Sequence, residues 1–318
     1  MISVALCTYN GERFLAQQLA SIAAQTRPPD ELVVRDDGSA DGTAELVRRF
    51  ADAAPFPVHL AVHPTTVGST ANFATAIAAC RGEVICLADQ DDVWVPHKLE
   101  IIEKLFQENP AAGLVFSDAD MVDADLRPLG HRLFDSIRFG RTERERFRAG
   151  GAFPLLLRRD RVCGATMGFR SNWRELILPI PGEWVHDAWI ALLIAAAAPC
   201  LVSDEPLIRY RQHGGQQIGA AKRGLYARYL LGRQMSRAAF EATARRFTQA
   251  RDRLGRFPGV SADDLRRLGA KVAHCERRAT MRAADRSRVR GVLGEAVNGR
   301  YFRYSSGWKS IAQDLFLP

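Results

Sequence analysis

Three carboxylates fall within four positions in Leu87-Ala-Asp-Gln-Asp-Asp-Val-Trp94, directly after the apolar run Glu83-Val-Ile-Cys-Leu-Ala88. Like charges this close raise one another's pKa and cost stability, so a positive partner is expected there at least part of the time. If strand conformation continued, Asp89 and Asp91 would point to one side. Two carboxylates at a strand end are hard ligands for Mg²⁺ or Mn²⁺, with substrate phosphates and water completing the shell. A nucleoside diphosphate meets that need. The bland alternative is a solvated acidic turn ahead of a helix, with Pro96 at an early position. A bare Asp-x-Asp is more often that. Here the strand-helix setting and a second acidic pair shift the balance.

That second pair is Asp36-Asp37-Gly38-Ser39. A carboxylate there can accept hydrogen bonds from a base N–H or ribose hydroxyls, or it can form an Asx-turn; the residues alone leave this even. His186-Asp187 precedes an apolar helix. Asp is a favoured N-cap, and an Asp fixed there could also act as a general base. His213, in Arg209-Tyr-Arg-Gln-His-Gly-Gly215, is followed by two glycines that would let backbone close over a diphosphate. A lone His is more often structural, but imidazole beside carboxylate would tolerate Mn²⁺ as well as Mg²⁺.

The elements that must position these groups alternate. Strands are predicted at 2–7, 31–35, 58–62, 84–87 and 114–116, and helices at 12–24, 43–50, 69–80 and 96–107. The helices carry apolar residues at helical spacing, such as Phe14, Leu15, Leu19 and Ile22. Such alternation means βαβ units and a parallel sheet, with ligands at the carboxyl ends of the strands. Thr8-Tyr-Asn10, Asp36-Asp37 and Asp89 to Asp92 all fall at such ends and are expected to converge on one crevice. Residues 126–165 read as irregular and Arg-rich, a mobile or acceptor-facing segment, and Asp187–Ala198 as a buried helix. The chain after Gln216 reads as wholly helical, with Ser261 and Asp264 as an N-cap and a first-turn acid.

A chain of 318 residues with 47% hydrophobic content has a real core. No leader or membrane span is recognised, and the six cysteines lack a CxxC pair, so they read as reduced core residues of a cytoplasmic protein. Charge is uneven. Residues 216–318 hold 22 Lys and Arg against 8 Asp and Glu, a net +14, leaving −6 of the total +8 on residues 1–215. The basic part suggests an anionic partner surface. It reads equally as a helical appendage shaping the acceptor site, or as an interfacial membrane surface with Arg300, Arg303 and Lys309 among Tyr301, Phe302, Tyr304, Trp308, Leu315 and Phe316. A homodimer contact is a third reading. No nucleic-acid recognition motif accompanies the charge.

Together, Ser3-Val-Ala-Leu-Cys-Thr-Tyr-Asn-Gly11, Asp36-Asp-Gly-Ser-Ala-Asp-Gly-Thr43, Gly68 with Asn72-Phe73, Ala88-Asp-Gln-Asp-Asp-Val-Trp94 and His186-Asp187 resemble the family-2 glycosyltransferases. DQDDVW and YRQHGG resemble the bacterial rhamnosyltransferase-like branch. The resemblance implies a GT-A fold, Rossmann-like with a mostly parallel sheet flanked by helices, over residues 1–215, and a basic helical extension over 216–318. It implies that Thr8, Tyr9 and Asn10 line the base pocket and that Asp37 binds uracil or thymine with Asp36 nearby. Asp89 would contact the ribose side, with Asn72 and Gln90 also on the nucleotide-sugar side. Asp91 would hold a divalent cation, Mg²⁺ or Mn²⁺, with His213 as a further ligand. Asp187 would be the catalytic base, with His186 and Trp94 on the acceptor side. The implied reaction is inverting transfer of a sugar such as L-rhamnose from a dTDP donor to a saccharide or lipid-linked saccharide in surface-polysaccharide synthesis, at or near the inner face of the membrane. A UDP-sugar donor on the same scaffold is the first alternative, and a non-catalytic nucleotide-binding protein is the second. Two positions depart from the pattern: Thr66 stands where Asn is common, and His186 where an acid is common.

Overall fold

The computed structural model describes residues 1–214, 236–281 and 285–316. The chain divides into two compact units, one from Met1–Gly150 and Arg161–Ala221, the other from Gly151–Asp160 and Lys222–Pro318. Residues 151–160, read from the sequence as part of the first unit, therefore group with the second.

In the first unit, β1 (Ile2–Thr8), β2 (Glu31–Asp36), β3 (Val58–Val62) and β4 (Val84–Asp89) form a parallel half-sheet in the order β3-β2-β1-β4. They are connected by α1 (Glu12–Ala23), α2 (Thr43–Ala53) and α3 (Ser69–Ala79). Val4, Leu6, Leu32, Val34, Cys86 and Ala88 are buried in one continuous core with Leu15, Leu19 and Ile22 of α1. Such near-continuous apolar strands are what a sheet covered on both faces requires.

The other half is mixed. After β5 (Val93–Trp94) and α4 (Lys98–Glu108) comes β6 (Leu114–Val122). It does not pair with β4 directly. The four-residue β8 (Met167–Arg170) lies between them, antiparallel to both. β9 (Cys200–Arg211) runs parallel to β6 and antiparallel to β5, and β7 (Pro128–Arg132) pairs with β6. The segment 126–165 is thus more ordered than its composition suggests, holding β7 and the helices Leu133–Ser136, Arg141–Arg146 and Ala152–Arg158. Several of its arginines are engaged within the first unit. Arg144 and Arg148 pair with Asp204, and Arg141 with Glu145.

The second unit contains helices Arg237–Gly255, Ala262–Met281, Asp285–Val297, Arg300–Tyr304 and Trp308–Phe316 besides Ala152–Arg158. Ser261 Oγ accepts from Asp264 N at 3.0 Å and so caps the helix expected there. Residues 215–235, part of the expected helical stretch, lie outside the described residues. A buried polar network joins these helices. Arg278 donates to both oxygens of Asp314 at 2.6 and 2.8 Å, and Tyr301 Oη donates to Asp314 Oδ2 at 2.7 Å. His274 bridges Glu295 at 2.6 Å and Ser305 at 2.8 Å. Tyr301 and Tyr304 are therefore buried, not surface aromatics as their place in the basic tail suggested.

Candidate active site

The parallel register brings the acidic segments to one sheet edge: Thr8 lies opposite Asp36, and Cys7 opposite Asp89. At this edge each carboxylate has a different task. Asp36 is fully buried; its oxygens accept from Thr8 Oγ1 at 2.7 Å, Ser39 N at 2.8 Å and Ser39 Oγ at 2.6 Å. It builds the Asx-type turn that the sequence left open. Asp37 accepts from Val67 N at 2.6 Å and Gly68 N at 2.9 Å, pinning the loop that enters α3. Gly68 adopts φ +88°, and Thr66 Oγ1 donates to Asp37 O. Asn72, on α3, donates to Arg35 O at 2.9 Å, while its Oδ1 is buried without a partner among the described residues.

The strand conformation stops at Asp89, so Asp89 and Asp91 do not simply alternate. The reason is Gln90. Its amide accepts from Tyr9 N at 2.8 Å and donates to Tyr9 O at 3.0 Å, in place of a strand neighbour. A side chain at Gly11 would collide with that amide, which explains the glycine. Asn10, with φ 46°, accepts from Ala40 N at 2.9 Å, so the 8–10 and 36–40 turns are stitched together.

Beyond Gln90 the carboxylates separate. Asp91 Oδ2 lies 2.7 Å from His213 Nε2. Asp92 is buried; one oxygen accepts from Arg211 N at 2.9 Å, and the other has no partner among the described residues. Arg211 donates to Asp91 O at 2.6 Å and to Gln17 Oε1 at 2.6 Å, clamping this turn onto β9 and α1. Burial pushes the Asp89 carboxyl up to about 7, helped by Asp91 and Asp187. Burial, with Asp91 and Asp89, also raises Asp92 well above the usual carboxylate range. A divalent cation on Asp91 and His213, with diphosphate oxygens completing its shell, fits that donor set. No cluster of three or more His, Cys, Asp or Glu among the described residues is arranged to hold a metal alone.

Asp187 lies near Asp89, whose pKa it helps to raise after burial and Asp91. It is not the N-cap of its helix; the helix begins at His186, and Val185 occupies the cap position. From the first turn, Asp187 Oδ1 accepts from Ala188 N at 2.6 Å, and Oδ2 from Gly164 N at 3.2 Å. Burial raises its pKa, while these N–H groups oppose the rise. His186 stacks on Phe73 of α3 with centroids 3.9 Å apart. Its ring nitrogens have no partner among the described residues, and burial pulls its pKa down to about 3, so it is neutral. Thr70 Oγ1 donates to Trp184 O at 2.9 Å. The Asp37–Gly68 loop, α3 and the His186–Asp187 turn are thereby fastened to one another. Trp94 is buried beneath Lys98 rather than presented to solvent. Residue types alone did not single out Lys98, Arg211 or Gly164, because Lys and Arg read as surface residues and glycine as a turn.

A family model described as "Glycosyl transferase family 2" matches residues 3–174, more than half of the chain. The chain belongs to glycosyl transferase family 2. Within it, the chain is 35% identical over 219 residues to an uncharacterized glycosyltransferase of Nostoc sp., covering 67% of this chain and 65% of that protein. Thus it spans slightly less than two thirds of that relative's length. It is 25% identical over 226 residues to the dTDP-rhamnosyl transferase RfbG of Shigella flexneri, covering 68% and 74% of the two chains. Among solved structures it resembles a mannosyltransferase of Pyrobaculum calidifontis in complex with GDP-Man and Mn²⁺. There the TM-score is 0.54 at 18% identity, with 99% and 84% of the chains covered. This likeness and the mixed sheet with flanking helices identify the fold as GT-A, with helices following the catalytic core of this family-2 chain.

Proposed function

We propose that this chain is an inverting, divalent-cation-dependent glycosyltransferase. It moves a hexosyl group, L-rhamnose from dTDP-L-rhamnose, to a saccharide or lipid-linked saccharide acceptor in bacterial surface-polysaccharide synthesis. The observation that carries this reading is the convergence of the Asp89–Asp92 turn, where Asp91 Oδ2 lies 2.7 Å from His213 Nε2, with Asp187, which after burial and Asp91 also raises the Asp89 pKa. The Shigella relative supports dTDP-rhamnose as donor, and the Pyrobaculum neighbour supports a nucleotide sugar with a divalent ion.

In this reading Thr8, Tyr9, Asn10 and the Asp37 loop receive the base, with Asp36 shaping the turn. Asp89, Gln90 and Asn72 border the ribose and sugar. Asp91 and His213 hold the cation, which when bound offsets charge on the departing diphosphate. Asp187 takes the acceptor hydroxyl's proton as that hydroxyl attacks the anomeric carbon from the face opposite the diphosphate. Its raised pKa makes it a stronger base, and the Gly164 and Ala188 N–H groups hold its two oxygens in place. His186 and Trp94 support the acceptor side.

A UDP-sugar donor carrying galactose, glucose or N-acetylglucosamine is the second reading, since uracil and thymine share the edge that Asp37 would meet. Release of nucleoside diphosphate from a panel of dTDP-, UDP- and GDP-sugars with Mn²⁺ tests both. The largest release is expected with dTDP-rhamnose. A UDP-sugar winning selects the second reading, and no release from any donor leaves a nucleotide-binding protein.

No helix among the described residues is long and apolar enough to cross a membrane. Attachment to the inner membrane face belongs to the proposal, through exposed Val289, Leu293, Val297, Phe302, Trp308 and Phe316 beside Arg303 and Lys309.

A further inference from the structure

Lys98 is fully buried at the first position of α4. That place is doubly unfavourable for an ammonium: burial strips its hydration, and the helix N-terminus presents the positive end of the backbone dipole. A Met would fill much the same space without either cost. Among the described residues its Nζ makes one hydrogen bond, to Ala165 O at 2.7 Å. It also sits over the Trp94 ring, 3.7 Å from the centroid.

These two contacts join two different segments of the site. Trp94 closes the segment that begins with Asp89, Gln90, Asp91 and Asp92. Ala165 follows Gly164, whose N–H holds Asp187 Oδ2. The Gly164 loop is pressed against the turn carrying the base: a Cβ on Gly164 would stand 2.7 Å from His186 Nε2. Burial pulls the ammonium down to about 8.

We propose that Lys98 is a positioning residue, linking the segment Asp89–Trp94 through Trp94 to the Gly164 loop through Ala165 O, and so holding Asp187 in register with Asp89 and Asp91. It touches neither substrate nor the reacting atoms, and the inference rests on the reading of Asp187 as the base.

The test uses the full chain with Lys98→Met. Amide hydrogen exchange across Gly164–Thr166 is expected to quicken at least tenfold, with the parallel strands unchanged. With the best donor, kcat is expected to fall at least tenfold while donor KM stays within threefold. A space-filling role would move neither quantity. If Lys98→Met does not fold, Lys98→Leu, which likewise has no N–H donor for Ala165 O, is read by the same criteria. Unchanged exchange at Gly164–Thr166 overturns the proposal whatever the rate, as does failure of both variants to fold. A wild-type protein that transfers no sugar refutes the glycosyltransferase reading instead, and the exchange result still decides the role of Lys98.

Discussion

Asp91 and His213 are the proposed ligands of the cation. Their side chains pair at 2.7 Å, and in the proposed reading both would serve as ligands to the ion. Removing Asp91 leaves His213 alone to hold the ion. Asp91→Ala is expected to weaken Mn²⁺-dependent dTDP binding at least tenfold in calorimetry, and unchanged affinity would count against the assignment. His186 makes a second prediction. Its folded pKa is pulled below the unfolded value of 6.5 to about 3. Below pH 6.5 the unfolded chain takes up a proton that the folded chain refuses, so stability falls with pH across that window. At pH 5 the loss is about 2 kcal/mol. The thermal midpoint of wild type should drop more between pH 7 and 5 than that of His186→Gln; equal drops would mean that His186 does not stay neutral. At this scale the carboxylates and His213 were legible because their types advertise chemistry. The division of labour between Asp36, spent on its turn, and Asp37, spent on the Gly68 loop, was not, because it depends on which backbone N–H groups lie within reach.

The elements explain why the site is rigid. The helix carrying Asp187 packs against the start of β6 at Gly113, where a Cβ would stand 2.6 Å from Ile194 Cγ2 and 2.8 Å from Ala198 Cβ. Both neighbours are fixed in the packing, so Gly113→Ala must shift the helix. It is expected to cost about 1–3 kcal/mol, read as a lower denaturation midpoint, and to reduce turnover through Asp187. A midpoint equal to wild type would show that the helix has room. The parallel half-sheet was readable from the sequence, since each strand and helix there has its own period. β8 and β9 were not. β8 has four residues, and only its insertion between β4 and β6 defines it. β9 begins at the end of an apolar run and carries Pro206 where its register with β6 shifts. Pro at a ladder irregularity is allowed by tertiary context, which local pattern does not reveal.

At the scale of the whole molecule, the net +14 of residues 216–318 stands against −6 elsewhere. In the second unit Trp308 is 74% exposed and Phe316 80%, while Tyr301 is wholly buried. Of the aromatics the sequence offered, Phe302, Trp308 and Phe316 remain available to a membrane, joined by exposed Val289, Leu293 and Val297. The intact protein is expected to co-sediment with vesicles containing anionic lipid at low salt. It should release as salt screens the attraction, and Trp308→Ser with Phe316→Ser should bind less. Absence of binding at low salt would remove the membrane reading and leave the catalytic one untouched.

The account depends above all on Asp187 being the base at the edge where a nucleotide sugar and a cation meet. The most direct test compares Asp187→Asn with wild type, measuring sugar transfer and nucleotide binding on the same preparation. General-base removal is expected to lower turnover by about 10²–10⁴-fold, with Mn²⁺-dependent dTDP affinity within about twofold of wild type. Turnover in the variant close to wild type would contradict the account.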